Sequence, residues 1–406
     1  MKTIVSILAL ALILTGCGKD TPPQASWNGA IHRTDGKNIP FRVFIELQSD
    51  KPSATFVIGT ERVPVPEVQH QADSLVFLFS EYNAAMRGIL DGDTWTGNYL
   101  RYRKSTIAVP FSAKAEPAQL TAPISANHSA VPLVGKFQAY LKDGDKIDST
   151  TLATFWTSHD SIFGTLIAPD GDYGLNAGTQ QGTSVTLSRF TGWQAQLFEF
   201  SQNGPSWQGM FYVRDEAPEM LTLEPRPALE EKIASSRETR IKDPRLPFVF
   251  SGITIDGDTL TNDSPRFKGK ALIVDIMGTW CHNCMDESPL LQQLYQEYGT
   301  KGLQVVGLSF EINDNTDQAK KNLSLYRKRF GITFPLLFCG STEEKYVGPA
   351  LKQQMVNFYA YPTALFIDRR GRVESIHVGF KGPGAGEEFQ SEVKHLYDVV
   401  RRLTGA

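Results

Sequence analysis

Cysteine is scarce in this chain: four of its 406 residues are cysteines. A scaffold stapled by disulfides needs several scattered pairs, and here two of the four sit in one C-x-x-C. An excess of charge of one sign is also missing. Forty-one lysines and arginines face 44 aspartates and glutamates, a formal net charge of −3, and no basic stripe proposes nucleic acid as a partner. Beyond Leu14 there is no apolar run approaching the roughly 20 residues that a membrane-spanning helix needs. What is present is an ordinary hydrophobic fraction of 41%, spread over a length that exceeds a single core and so implies several globular domains.

The chain opens with Met1-Lys2-Thr3, a short positive end, and continues in an apolar run from Ile4 to Leu14. That length suits a signal peptide and not a stable span. The run closes in Leu14-Thr15-Gly16-Cys17, which resembles the bacterial lipobox, where cleavage falls before a cysteine that then takes up lipid. Residues 1–16 are accordingly expected to be a lipoprotein signal peptide, Cys17 the lipid attachment point and 17–26 a lipidated tether. An ordinary secretory signal with a chance cysteine is the alternative. The resemblance implies a body held to the cell envelope by acyl chains and facing the periplasm. Gly18 is not an acidic inner-membrane retention residue and leaves the choice of membrane open.

Up to about residue 225 the sequence alternates turn residues with short β-branched and aromatic runs, as in 41–47, 74–79 and 194–200. The pattern predicts an all-β region. Asp93-Thr94-Trp95-Thr96-Gly97-Asn98-Tyr99-Leu100 lines up with Pro205-Ser206-Trp207-Gln208-Gly209-Met210-Phe211-Tyr212, and Tyr82 and Trp193 precede the two stretches. Two similar β-units, 27–115 and 133–225, follow from this, with an Ala-, Pro- and Ser-rich joint over 110–132. Aromatic residues at alternating strand positions read as core and not as a ligand surface. Residues 226–245 are charged and apolar-poor, which predicts an exposed helical linker ending at Pro244.

From 246 to 406 the pattern changes to alternating strands and helices. A hairpin over 248–260 is followed by a strand over 271–277, a helix over 284–298, a strand over 303–310, a helix over 316–330 and a strand over 334–338. A helix over 344–355, strands over 364–368 and 373–378, and a helix over 387–403 complete the order. The expectation is an α/β domain around a largely apolar sheet.

The strand 271–277 leads into Trp280-Cys281-His282-Asn283-Cys284 and then a helix. A thiolate in the first turn of a helix faces unpaired backbone N–H groups and the positive end of the helix dipole, and its pKa falls accordingly. Cys281 is therefore the expected nucleophile and Cys284 the resolving thiol, one turn away. Half a zinc site is the competing reading of C-x-x-C. It requires a second ligand pair, and His377 and His395 lie far off in different elements. No metal and no cofactor are expected.

The stretch Val274-Asp275-Ile276-Met277-Gly278-Thr279-Trp280-Cys281-His282-Asn283-Cys284, with Met285-Asp286-Glu287-Ser288-Pro289 after it, resembles the TlpA-like branch of the thioredoxin superfamily, over 246–406. The resemblance implies a thiol–disulfide oxidoreductase, with disulfide-bearing exported proteins as substrates and a membrane electron-donor thiol protein as partner. It places a cis-proline at Pro362, substrate-binding positions at Trp280, Tyr361 and Thr363, and a pKa-tuning acid at Glu287. Asp275 departs from many TlpA-like proteins and is similar to the buried aspartate of thioredoxin; a carboxylate there has a raised pKa and accepts the proton of Cys284. His282 departs from the family's usual proline, and an imidazolium beside Cys281 stabilises the thiolate. Cys339 reads as an inert core thiol. Two other functions compete. One is a peroxiredoxin-like peroxidase, for which Gly278 stands where the activating threonine is expected. The other is a non-catalytic lipoprotein that binds a partner through its β half.

Overall fold

The structure, a computed structural model, describes residues 25–47, 51–102, 105–116, 132–144, 146–226 and 238–405. The lipobox with Cys17, most of the joint and linker residues 227–237 lie outside the described residues. No described helix is long and apolar enough to cross a membrane.

The first nine strands form one antiparallel sheet in which Ala25–His32 pairs with both Asn38–Glu46 and the last strand, Thr106–Glu116. Alternation is clear in Asn38–Glu46, where Ile39, Phe41, Val43 and Ile45 point to the core as a period of two requires. The second unit closes on itself: Gly135–Asp143 pairs with Leu152–Ser158 on one side and Glu219–Pro225 on the other, which makes a barrel. The two tryptophans of the internal repeat occupy equivalent penultimate strands, Thr94–Tyr102 and Ser206–Val213, and both are fully buried. The first sheet stays open and is completed from outside, with Phe41, Phe56 and Tyr99 packed on Phe190 of the second unit.

The C-terminal part is an α/β sheet of seven strands. Ala271–Met277 runs parallel to Leu303–Glu311, which runs parallel to Leu336–Ser341; Thr363–Ile367 flanks Ala271–Met277 antiparallel and carries Val373–Val378 at the edge. Ala271–Met277 is buried at every position, as a central strand covered on both faces must be. Its helices are α1 (His282–Tyr298), α2 (Thr316–Phe330), α3 (Glu344–Val347) and α4 (Glu387–Thr404), and α1 packs against α2 and α4.

Two expectations are corrected. The helix expected over 344–355 is α-helical only over Glu344–Val347, continues as a π-helix over Gly348–Lys352, and is followed by a short strand, Met355–Val356. Pro349, near the start of the π-helical turn, lacks the N–H that α-helical pairing needs. The described end of the expected helical linker is a strand: Arg240–Ile241 pairs with Met355–Val356.

Candidate active site

Cys281 caps α1. Its extended backbone (φ −85°, ψ 118°) ends the approach from the sheet, and its Sγ accepts the N–H of Cys284 at 3.2 Å. The sulfur thus meets one of the free amides of the helix start, where negative charge is favoured. Cys281 and Cys284 are joined as a disulfide, with their Cα atoms 5.2 Å apart. The turn before them depends on Gly278. A Cβ there would lie 2.3 Å from Trp280 Nε1, so only glycine lets the indole fold back and donate to the Phe310 carbonyl at 2.9 Å. Thr279 is held by a buried carboxylate: its N–H and hydroxyl donate to Glu311 at 3.2 and 2.7 Å, and Ser309 donates to the same group.

The Tyr361–Pro362 peptide is cis, and the Tyr361 ring meets Trp280 edge-on at 5.4 Å. Thr363, expected to contact substrate, is corrected: it is fully buried, and its hydroxyl donates to the Ala360 carbonyl at 2.8 Å. It fixes the loop that carries Pro362 and has no surface to offer.

Asp275 and Glu287 are both buried, and Asp275 Oδ1 and both carboxyl oxygens of Glu287 lack hydrogen-bond partners. Burial pushes the Asp275 carboxyl up to about 7. Glu287 is pushed well up, by burial first and then by the charges of Asp275 and Glu392. Neither is a helix-surface acid. Tyr326 of α2 feels both groups and donates to the Cys284 carbonyl at 2.8 Å, with Ser288 at the same distance from its hydroxyl. A buried, proton-holding cluster therefore adjoins the resolving cysteine.

His282 is a correction. Its side chain is mostly buried, and burial, and after it the positive charges of Arg189 and Arg329, hold its pKa well below the usual value, which disfavours the expected imidazolium. Its Nε2 lies 3.1 Å from Asp286 Oδ2 and 4.0 Å from Asp172 Oδ1. Burial raises both acids, Asp172 to about 6.

The β half packs on the first turns of α1, beside a buried disulfide. Cys281 is 5% exposed and Cys284 not at all. Asn283 Nδ2 donates to the Asp170 carbonyl at 3.3 Å, the Tyr82 hydroxyl meets Met285 Sδ at 3.0 Å, and Glu81 pairs with Arg329 at 3.3 Å. Tyr82 and Trp193, the paired aromatics of the repeat, stack on each other at 5.7 Å beside this contact. Close approach is possible because Gly171 (φ +127°) has no side chain; a Cβ there would fall 1.9 Å from Asn283 Nδ2. Between the β-units and α1 remains a cleft of about 840 Å³, bordered by Glu61, Arg189, His282, Asp286 and Arg329. Cys339 stands apart, half-buried and unbridged, with its thiol pushed up to about 12 by burial.

A strand that delivers Trp-Cys-x-x-Cys to a helix start, with a cis-proline opening the neighbouring antiparallel strand, defines a thioredoxin-like dithiol–disulfide domain. Residues 246–376, within the C-terminal domain, match the AhpC/TSA family. The chain is 28% identical over 145 residues to thioredoxin-like protein YneN of Bacillus subtilis, covering 36% of this chain and 76% of that one. It is 28% identical over 116 residues to thiol-disulfide oxidoreductase ResA of Geobacillus thermodenitrificans, covering 28% of this chain and only 57% of the relative's length. A solved structure described as a putative thiol:disulfide interchange protein DsbE from Chlorobium tepidum is 21% identical, with a TM-score of 0.29, and covers 37% of this chain and 93% of that one.

Proposed function

We propose that the chain is a lipid-anchored, extracytoplasmic thiol–disulfide oxidoreductase that reduces disulfides in exported proteins. Cys281, as thiolate, attacks a substrate disulfide; one substrate sulfur leaves and a mixed disulfide remains. Asp275, in its carboxylate form, takes the proton of Cys284, whose thiolate then attacks Cys281 Sγ. The second substrate sulfur leaves, and the Cys281–Cys284 disulfide forms. A dithiol of a membrane electron donor returns two electrons. Trp280, Tyr361 and Pro362 border the place where an extended substrate segment pairs with exposed backbone. Anchoring at Cys17 is part of the same reading.

The observation that carries the proposal is the placement of Cys281 Sγ on a free amide in the first turn of α1, that of Cys284, with Cys284 bonded to it. Peroxidase chemistry of the peroxiredoxin kind finds less support, because Thr279 gives its hydroxyl to Glu311 and not to the cysteine. The test is trapping in the full chain. Cys284→Ala should accumulate mixed disulfides with exported proteins, and Cys281→Ala should accumulate none. Equal trapping by both variants, or by neither, overturns the assignment.

A further inference from the structure

Asp172, His282 and Asp286 meet where the second β-unit covers the first turns of α1, and the exchange chemistry uses none of them. One donor atom from each lies within 4.8 Å of the other two. His282 and Asp286 are four residues apart on α1 and so project from one face, while Asp172 arrives from the barrel. Zinc sits about 2.0–2.2 Å from nitrogen and oxygen donors. Small side-chain rotations therefore bring all three onto one ion.

The cluster is also incompletely satisfied. Asp172 is 5% exposed, and its Oδ2 is buried without a hydrogen-bond partner. Its other oxygen accepts the Gly174 N–H at 3.0 Å, and the Gly382 amide also faces the carboxylate. Nearby positive charge is already engaged. Arg189 is gripped by both oxygens of Glu61, and Arg329 pairs with Glu81. Among the described residues neither Asp172 nor Asp286 has a lysine or arginine as ion-pair partner. Two carboxylates taken out of water without a cation are costly, and a doubly charged ion supplies what is missing.

We propose that Asp172, His282 and Asp286 bind one divalent transition-metal cation of the zinc class, which ties the second β-unit to the active-site helix. The imidazole favours zinc and its first-row neighbours over magnesium and calcium, which take oxygen ligands. The adjoining cleft provides an entry path and room for water as a further ligand. No cysteine takes part, so the site is complete while the disulfide is intact.

The experiment is a calorimetric titration of zinc chloride into the oxidised full chain, in a Cys17→Ser, Cys339→Ser background that leaves no free thiol to compete. Cobalt(II) serves as the optical probe, through its visible absorption bands. The expected result is one ion per chain, with affinity lowered tenfold or more by Asp172→Asn and by His282→Gln and the cobalt bands lost in each. Zinc should raise the thermal midpoint of the parent and not of Asp172→Asn. Should circular dichroism find Asp172→Asn unfolded, His282→Gln and Asp286→Asn decide. Absence of zinc binding, or binding that the folded variants leave unchanged, overturns the proposal.

Discussion

Replacing Asp275 by asparagine removes a carboxyl from the middle of a buried strand while keeping its shape, and its effect on stability must depend on pH. In the folded chain the carboxyl titrates at about 7 because it is buried; in the unfolded chain it titrates near 3.9. Below about pH 4 both states hold the proton, and the charge makes no difference. Between about pH 4 and 7 the unfolded chain ionises while the folded chain keeps its proton. An acid with a raised pKa therefore costs stability as pH rises, at roughly 1.4 kcal/mol per pH unit. From pH 5 to pH 8 the wild type should lose roughly 2 to 3 kcal/mol that Asp275→Asn does not lose. The release of Glu287 from the charge of Asp275 adds to the difference. Guanidinium unfolding of the oxidised full chain, for both proteins at both pH values, reads this directly. Any cost of burying the amide is constant with pH and cancels. A difference between the two proteins that is the same at pH 5 and pH 8 would refute the assignment of Asp275 as a buried, proton-holding acid.

Other consequences are equally specific. Gly171→Ala places a methyl group where Asn283 now sits, so the barrel must lift from α1. Dithiothreitol should then reduce the Cys281–Cys284 disulfide several-fold faster, and an unchanged rate would show that the cover does not limit access. Thr279→Val removes the hydroxyl donor from the buried Glu311 carboxylate and should cost about 1–3 kcal/mol in denaturant unfolding. A loss near zero would mean that Glu311 is satisfied by its remaining partners alone.

The thioredoxin-like domain was legible because its signals are local. A contiguous apolar strand, a C-x-x-C at a helix start and a Tyr-Pro before another apolar strand each fit within a dozen residues, and Asp275 stood out as an acid in an apolar run. The repeat was legible through Trp95 and Trp207. What escaped the sequence depends on residues distant in the chain. Closure of the barrel rests on pairing between Gly135–Asp143 and Glu219–Pro225. The state of His282 is set by burial first and then by Arg189 and Arg329 from other elements, and the packing beside Cys281 involves a β half to which no chemistry was assigned. Glu311 and Tyr326 carried no motif at all. Gly348-Pro349 was a readable break in α-helical pairing, and there the helix widens to a π-helix that stops at Lys352, short of the expected 355.

An equilibrium redox titration of the full chain against glutathione and dithiothreitol buffers, with thiol trapping at each point, examines the exchange chemistry itself. The expected result is one reversible two-electron couple, lost in both Cys281→Ala and Cys284→Ala, between about −200 and −300 mV. If Cys281 and Cys284 do not interconvert reversibly between dithiol and disulfide, the chain is not an oxidoreductase of this kind, and its C-terminal domain serves only as a scaffold for the β half.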